Sequence, residues 1–175
     1  MTKRTTRVLI VICSLALFSL GTIGFVIGSI LYSFDFTDEY PHRSDAEMIQ
    51  VFREHRAEFE KVRSMALADR LVARIDEDWT TPANLDPETV ARYRELFAVI
   101  KTPRGINIYR ESGDIELLAS TIGWVASGST KGYIYNEIKP RGTIVGSLDD
   151  PTGLNIVEVR YLKPIDGNWY LYFER

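Results

Sequence analysis

The chain has 175 residues, 45% of them hydrophobic, and its 24 acidic and 21 basic residues give a formal charge of −3. A single cysteine, Cys13, excludes an intrachain disulfide. The acidic balance argues against nucleic acid or an anionic lipid face as the main partner.

From Val8 to Leu31 no residue is charged, and a helix over these 24 positions rises roughly 36 Å, enough to cross the hydrocarbon core with some tilt. The reading is a transmembrane helix over residues 8–32 after a cytoplasmic N-terminus of residues 1–7. The apolar run continues to "GSILYSFDF" without an A-x-A cleavage pattern, so a retained anchor is expected. Lys3, Arg4 and Arg7 precede the span and Asp35, Asp38 and Glu39 follow it, which places the N-terminus in the cytoplasm and the C-terminal part outside the inner membrane. All 24 acidic residues but only 18 of the 21 basic ones lie beyond the span, so that part carries a formal charge of −6. Cys13 follows Val11 and Ile12 and has a long stretch of apolar helix after it, so it reads as a position inside the span and not as a lipidated cysteine. Gly24 and Gly28 have the small-x-x-x-small spacing that lets two membrane helices approach, which offers a homodimer face.

A tether, residues 33–43, leads to one extracytoplasmic α+β domain, residues 44–175. "SDAE" opens its first helix: Ser44 caps the helix and Glu47 reaches back from the third helical position, and the helix is expected to run to about Ala68. Met48, Phe52, His55, Phe59, Val62 and Ala66 recur at steps of four and three, forming one apolar stripe with His55 in its middle. A histidine so flanked reads as a neutral, buried, hydrogen-bonded core residue. The sharper alternative, a metal ligand or base, has only Glu58 at a suitable spacing. Asp76, Glu77 and Asp78 read as a solvated acidic loop, since the stretch lacks the ligand ladder and glycine of a calcium loop. A second helix starts at "LDPETV", with Asp86 as cap and Pro87 at the first helical position. Val90, Tyr93, Phe97 and Ile100 form its apolar face, and "KTPRG" ends it.

Strand patterns follow in pairs: "GINIYRE" with "DIELLAS", "IGWVAS" with "KGYIYNE", and "NIVEVRYL" with "WYLYFE" across an Asp166-Gly167 turn. The expected architecture is two helices on one face of a mostly antiparallel sheet of four to six strands. In the last strand Trp169, Leu171 and Phe173 point to the core and Tyr170 and Tyr172 away from it. An aromatic surface of Tyr170 and Tyr172, joined by Tyr133, Tyr135 or Trp124 according to register, is one candidate binding site. The alternative is a sheet covered on both faces. In "SGSTKG", Ser127 stands four positions before Lys131, which fits neither a phosphate loop nor a serine-lysine nucleophile. A turn with exposed amides and the Lys131 ammonium is a weaker candidate, for an anion. No hydrolase elbow, zinc motif, paired cysteines or dinucleotide fingerprint occurs. Nothing in the spacing of Glu54, Glu58, Glu116, Glu137 and Glu158 selects a catalytic pair. No cofactor or metal is expected.

The patches "HRAEFEKV", "VARYRELF", "SGSTKGYIY" and "IDGNWYLYFE" resemble a group of small bacterial proteins of uncharacterised function, often exported or anchored at the envelope. That resemblance implies bacterial origin and a shared small α and β domain, and it brings no activity, ligand or catalytic residue. The functional expectation is a non-enzymatic envelope protein that contacts a protein or peptide. An immunity or inhibitor protein acting against a toxin, and a small hydrolase or metal-dependent enzyme using His55, are the alternatives.

Overall fold

The computed structural model describes residues 42–123, 128–150 and 160–175. The expected span at residues 8–32, with Cys13, Gly24 and Gly28, the tether up to residue 41, and Ser127, Trp124 and Glu158 lie outside the described residues. Among the described residues no helix is long and apolar enough to cross a membrane.

The first helix begins where its sequence signal stands. Ser44 Oγ accepts from the Glu47 amide at 3.3 Å, and the Ser44 amide donates to Glu47 Oε2 at 3.0 Å, closing a capping box over α1 (Asp45–Glu54). The expected single helix to Ala68 is two. His55, at φ −118° and ψ 31°, leaves helical geometry, and α2 (Arg56–Ala68) starts immediately after it. Its amide still donates to Val51 O and its carbonyl still accepts from the Phe59 amide, so the break costs little hydrogen bonding. Arg110 then caps the far end of α2, donating to Ala66 O at 2.8 Å and Val72 O at 3.1 Å. Helix α3 (Pro87–Val99) opens with Thr89 N donating to Asp86 Oδ2 at 2.8 Å and Pro87 in the first turn, and ends at Ile100, before Lys101 turns left-handed at φ 57°.

The sheet has eight strands where four to six were expected: β1 (Arg74–Ile75), β2 (Thr80–Thr81), β3 (Ile106–Tyr109), β4 (Asp114–Ile122), β5 (Ser129–Tyr135), β6 (Thr143–Ile144), β7 (Arg160–Asp166) and β8 (Trp169–Glu174). Their order is β2-β1-β3-β4-β5-β8-β7-β6, antiparallel except for the parallel pair β6–β7. Three of the strands have two residues each, too short to carry a period-two pattern, which is why sequence alternation does not reveal them. The loop between β7 and β8 is Gly167-Asn168, one residue later than expected, with Gly167 at φ +57° supplying the left-handed conformation.

Register decides which side chains share a face. Tyr133 pairs with Leu171 and Tyr135 with Trp169, so these tyrosines lie on the core side, beneath the helices. There Phe52, Phe59, Tyr133, Tyr135 and Trp169 form one aromatic cluster, with Phe59 and Tyr133 centroids 4.7 Å apart and Tyr135 and Trp169 5.3 Å apart. Each such pair adds about 0.5–1.5 kcal/mol beyond area burial. Tyr133 donates its hydroxyl hydrogen to Met48 O at 3.0 Å, tying β5 to α1. On the other face Ile134, Leu162 and Tyr172 make a second, smaller cluster with Tyr170 against it. The sheet is thus apolar at its centre on both sides, with the helices confined to one.

Candidate functional site

The five residues singled out by sequence do not form one surface. Tyr133 and Tyr135 are buried in the main core, Tyr172 is buried on the opposite face, and only Tyr170 keeps partial exposure. Lys131 is not in a turn: it lies in β5, 1% exposed, facing the core side opposite Phe173. Its ammonium stands 2.8 Å from Asp45 Oδ1 and 2.9 Å from Asp149 Oδ1, so its charge is already balanced and holds no free anion. Asp45, 2% exposed at the start of α1, also accepts from Lys163 Nζ at 2.8 Å and from the Leu148 amide at 2.9 Å. Burial opposes its ionisation, but the two lysines and the amide outweigh that and bring its carboxyl down to about 2. This cluster locks α1, β5, β7 and the 147–149 loop together.

His42 adjoins that lock. Its Nδ1 is 2.6 Å from Ser120 Oγ and its Nε2 is 2.8 Å from Ser129 Oγ, while its ring meets Phe173 edge-on at 5.5 Å. Burial, and then the Lys131 charge, lower its pKa to about 4. A neutral imidazole donates from one nitrogen and accepts at the other, which suits two hydroxyls. With so low a pKa it is a weak base near neutrality, and it lines neither of the two main grooves. Its geometry is that of a fastening between β4 and β5.

His55 corrects its expected reading. The helix break carries the ring out of the apolar stripe, so its side chain is 31% exposed, with one acidic neighbour, Glu58, at 4.0 Å. Leaving the ring near water avoids the desolvation that a core position would impose. One carboxylate at that distance assembles neither a metal site nor a base with an orienting partner. In the acidic loop, Asp76 pairs with Arg74, and Glu77 faces Arg104 at 3.8 Å. Among the described residues no three histidine, cysteine or acidic side chains gather as metal ligands.

The strongest polar constellation lies on the helix-free face and draws on strands far apart in sequence. Arg160, at the start of β7, is 17% exposed and lies among three carboxylates: Glu116 Oε1 at 2.6 Å, Glu174 Oε2 at 3.0 Å and Asp114 Oδ2 at 3.8 Å. Asp114 is otherwise satisfied, by Ser112 Oγ at 2.8 Å and Asn136 Nδ2 at 2.6 Å. Glu116 is not. Its Oε1 is buried and close to Arg160, yet lies off the N–H directions and has no formed hydrogen bond, so the contact is purely ionic. Burial pushes its carboxyl above the usual range, with Arg160 opposing and Glu174 reinforcing that shift.

Beneath Arg160, at 5.6 Å from guanidinium carbon to ring centre, lies Tyr172. Its ring crosses β5 over Gly132, where an added Cβ would come within 2.8 Å of the ring and 2.2 Å of Leu117 O. Glycine is the residue that leaves this space. The Tyr172 hydroxyl is buried without a hydrogen-bond partner.

Asp114, Glu116, Arg160 and Glu174, with Ser112, wall an open groove of about 710 Å³, completed by Tyr109, Arg141, Gly142 and Thr143. That size falls in the range of ligand-binding clefts. A second groove, of about 790 Å³, runs between the β1–β2 hairpin and the first turns of α3, past Trp79, Leu85 and Val90. Its one cation, Arg94, already donates to Asp76 O at 3.0 Å, and no buried charge converges on it. Of the Arg160 groove, sequence reading touched only Glu116, as one acid among several. The available signal was a carboxylate at the centre of the apolar run "DIELLAS", on the face opposite Ile115 and Leu117.

No protein-family model, no curated protein and no solved structure matches this chain.

Proposed function

We propose that the chain is a membrane-anchored bacterial envelope protein, held by residues 8–32 with its N-terminus in the cytoplasm. In this reading its outward α+β domain binds a protein or peptide partner without catalysing a reaction. The apolar run, the basic residues before it and the formal charge of −6 beyond it support the placement. Gly24 and Gly28 provide a face on which two anchors can pair. The resemblance carried by "HRAEFEKV", "SGSTKGYIY" and "IDGNWYLYFE" is consistent with an envelope protein.

The observation that carries the binding role is the groove around Arg160. It is ligand-sized, lies on the face the helices leave open, and presents charged groups from β4, β7 and β8. Binding is favoured over catalysis because neither histidine enters the groove and its acids are engaged with one arginine. The acid excess also suits a basic toxin as the partner, so the immunity reading is a special case of the same act. In that case a toxin reading frame lies beside the gene, and deletion is harmful only when that frame is intact.

Two measurements test the proposal. A phosphatase reporter fused after Arg175 is expected to be active only outside the cytoplasm; activity confined to the cytosol overturns the placement. A photo-crosslinking residue at position 109, on the groove wall, is expected to trap one reproducible partner in membranes, whereas the same residue at exposed position 61 on α2 traps none. Equal capture at both positions removes the groove from the function.

A further inference from the structure

We infer that the Arg160 groove takes a nitrogen cation, a guanidinium or alkylammonium group presented by a side chain of the partner protein. This rests on the binding role proposed above and names the chemistry of the bound group.

Three features point the same way. The first is charge: Asp114, Glu116 and Glu174 surround a single guanidinium, which leaves negative charge in a partly desolvated place where a second cation is favoured. The second is hydrogen bonding. Glu116 Oε1, on a side chain 3% exposed and lining the groove, meets Arg160 only as an ion pair and has no formed hydrogen bond. That oxygen can accept, and an N–H cation offers several donors at once. The third is Tyr109, 46% exposed on the wall, whose ring can cover the face of a guanidinium. Glu174, with a side chain 36% exposed, is the carboxylate a ligand meets first.

Arg141 is the opposing element. It is exposed on the same groove and has no hydrogen-bond or ion-pair partner among the described residues. It would repel a cation at its own end of the groove and attract a carboxylate. An anion-binding groove therefore predicts effects of the opposite sign at Arg141 and Glu174.

The experiment uses the full-length chain in detergent and follows the fluorescence anisotropy of two labelled peptides, one alternating arginine and serine and the other glutamate and serine. The arginine peptide is expected to bind saturably. Glu174→Gln should weaken it about tenfold, the scale of one charge-assisted hydrogen bond. Tyr109→Ala should weaken it less, Arg141→Gln should strengthen it, and Glu88→Gln on exposed α3 should leave it unchanged. Far-UV circular dichroism verifies that each variant folds. If Glu88→Gln weakens binding as much as Glu174→Gln, attraction is to the acidic surface at large and the inference falls. Tighter binding of the glutamate peptide, abolished by Arg141→Gln, overturns the cation while leaving the groove as a docking site. Spermidine displacing the peptide at matched charge concentration moves the ligand from a protein side chain to a free polyamine. If no groove variant changes either peptide and the crosslink at position 109 also fails, the inference and the binding role fall together.

Discussion

On the helix side of the sheet Asp45 and Asp149 meet Lys131 and Lys163, two acids for two cations. On the far side Asp114, Glu116 and Glu174 meet Arg160, three acids for one. The first cluster is closed. Lys131 is 1% exposed, and Asp45 lies between two ammoniums, its Oδ2 accepting from Lys163 and the Leu148 amide while its Oδ1 meets the Lys131 charge as an ion pair. The second opens onto a groove and carries more acids than its guanidinium balances. Both clusters are ionic, have a buried charge at their centre and are anchored on the central strands. Balance and access separate a structural lock from a candidate site, and mere burial of charge does not.

Breaking the closed cluster should have the largest effect. Asp45→Ala removes the shared acceptor of Lys131 and Lys163 and is expected to cost about 3–5 kcal/mol in urea unfolding, the range for stranding one member of a buried ion pair. The double variant Asp45→Ala with Lys131→Met should recover part of that loss. If Asp45→Ala costs less than about 1 kcal/mol, the cluster is not a lock. Gly132→Ala comes next. The added methyl meets Leu117 O and the Tyr172 ring at distances no real contact adopts, for an expected loss of about 2–3 kcal/mol. A stable Gly132→Ala protein would mean that Tyr172 does not lie across β5.

Acidification sharpens the comparison from the closed side. In the fold His42 stays neutral down to about 4, whereas the unfolded chain takes the proton near 6.5. Between those values the unfolded chain binds more protons, so stability falls as pH falls, by about 1–2 kcal/mol after allowing for partial exposure. His42→Gln should flatten that slope, which lies largely above the carboxylate range. The Asp45 carboxyl, lowered to about 2, contributes stability that is intact above about 4 and is lost as pH drops toward 2. The smallest effect belongs to the open side: Glu174→Gln, at a rim position, should change stability by less than about 0.5 kcal/mol while altering ligand binding. A Glu174→Gln loss comparable to that of Asp45→Ala would make the outer cluster a second lock.

What sequence shows here is what is local. The Ser44–Glu47 capping box, the Asp86-Pro87 start of α3 and the facing of Trp169, Leu171 and Phe173 all rest on neighbours within a few positions. The break at His55 does not show, because Met48, Phe52, Phe59, Val62 and Ala66 keep helical spacing through it and all remain buried. The placement of Tyr133 and Tyr135 depends on β5 registering with β8, more than thirty residues away, and parity within β5 alone cannot supply that. Lys131 looked like a turn cation because its partners Asp45 and Asp149 come from α1 and a distant loop. The groove was hidden for the same reason: Asp114, Glu116, Arg160 and Glu174 meet through strand order, and "DIELLAS" hints only that one acid sits oddly among apolar residues.

The fastening of His42 to Ser120 and Ser129 has a mechanical consequence. Tension reaching the domain along its upstream polypeptide is delivered to β4 and β5, in the interior of the ladder, and not to a marginal strand that could peel away bond by bond.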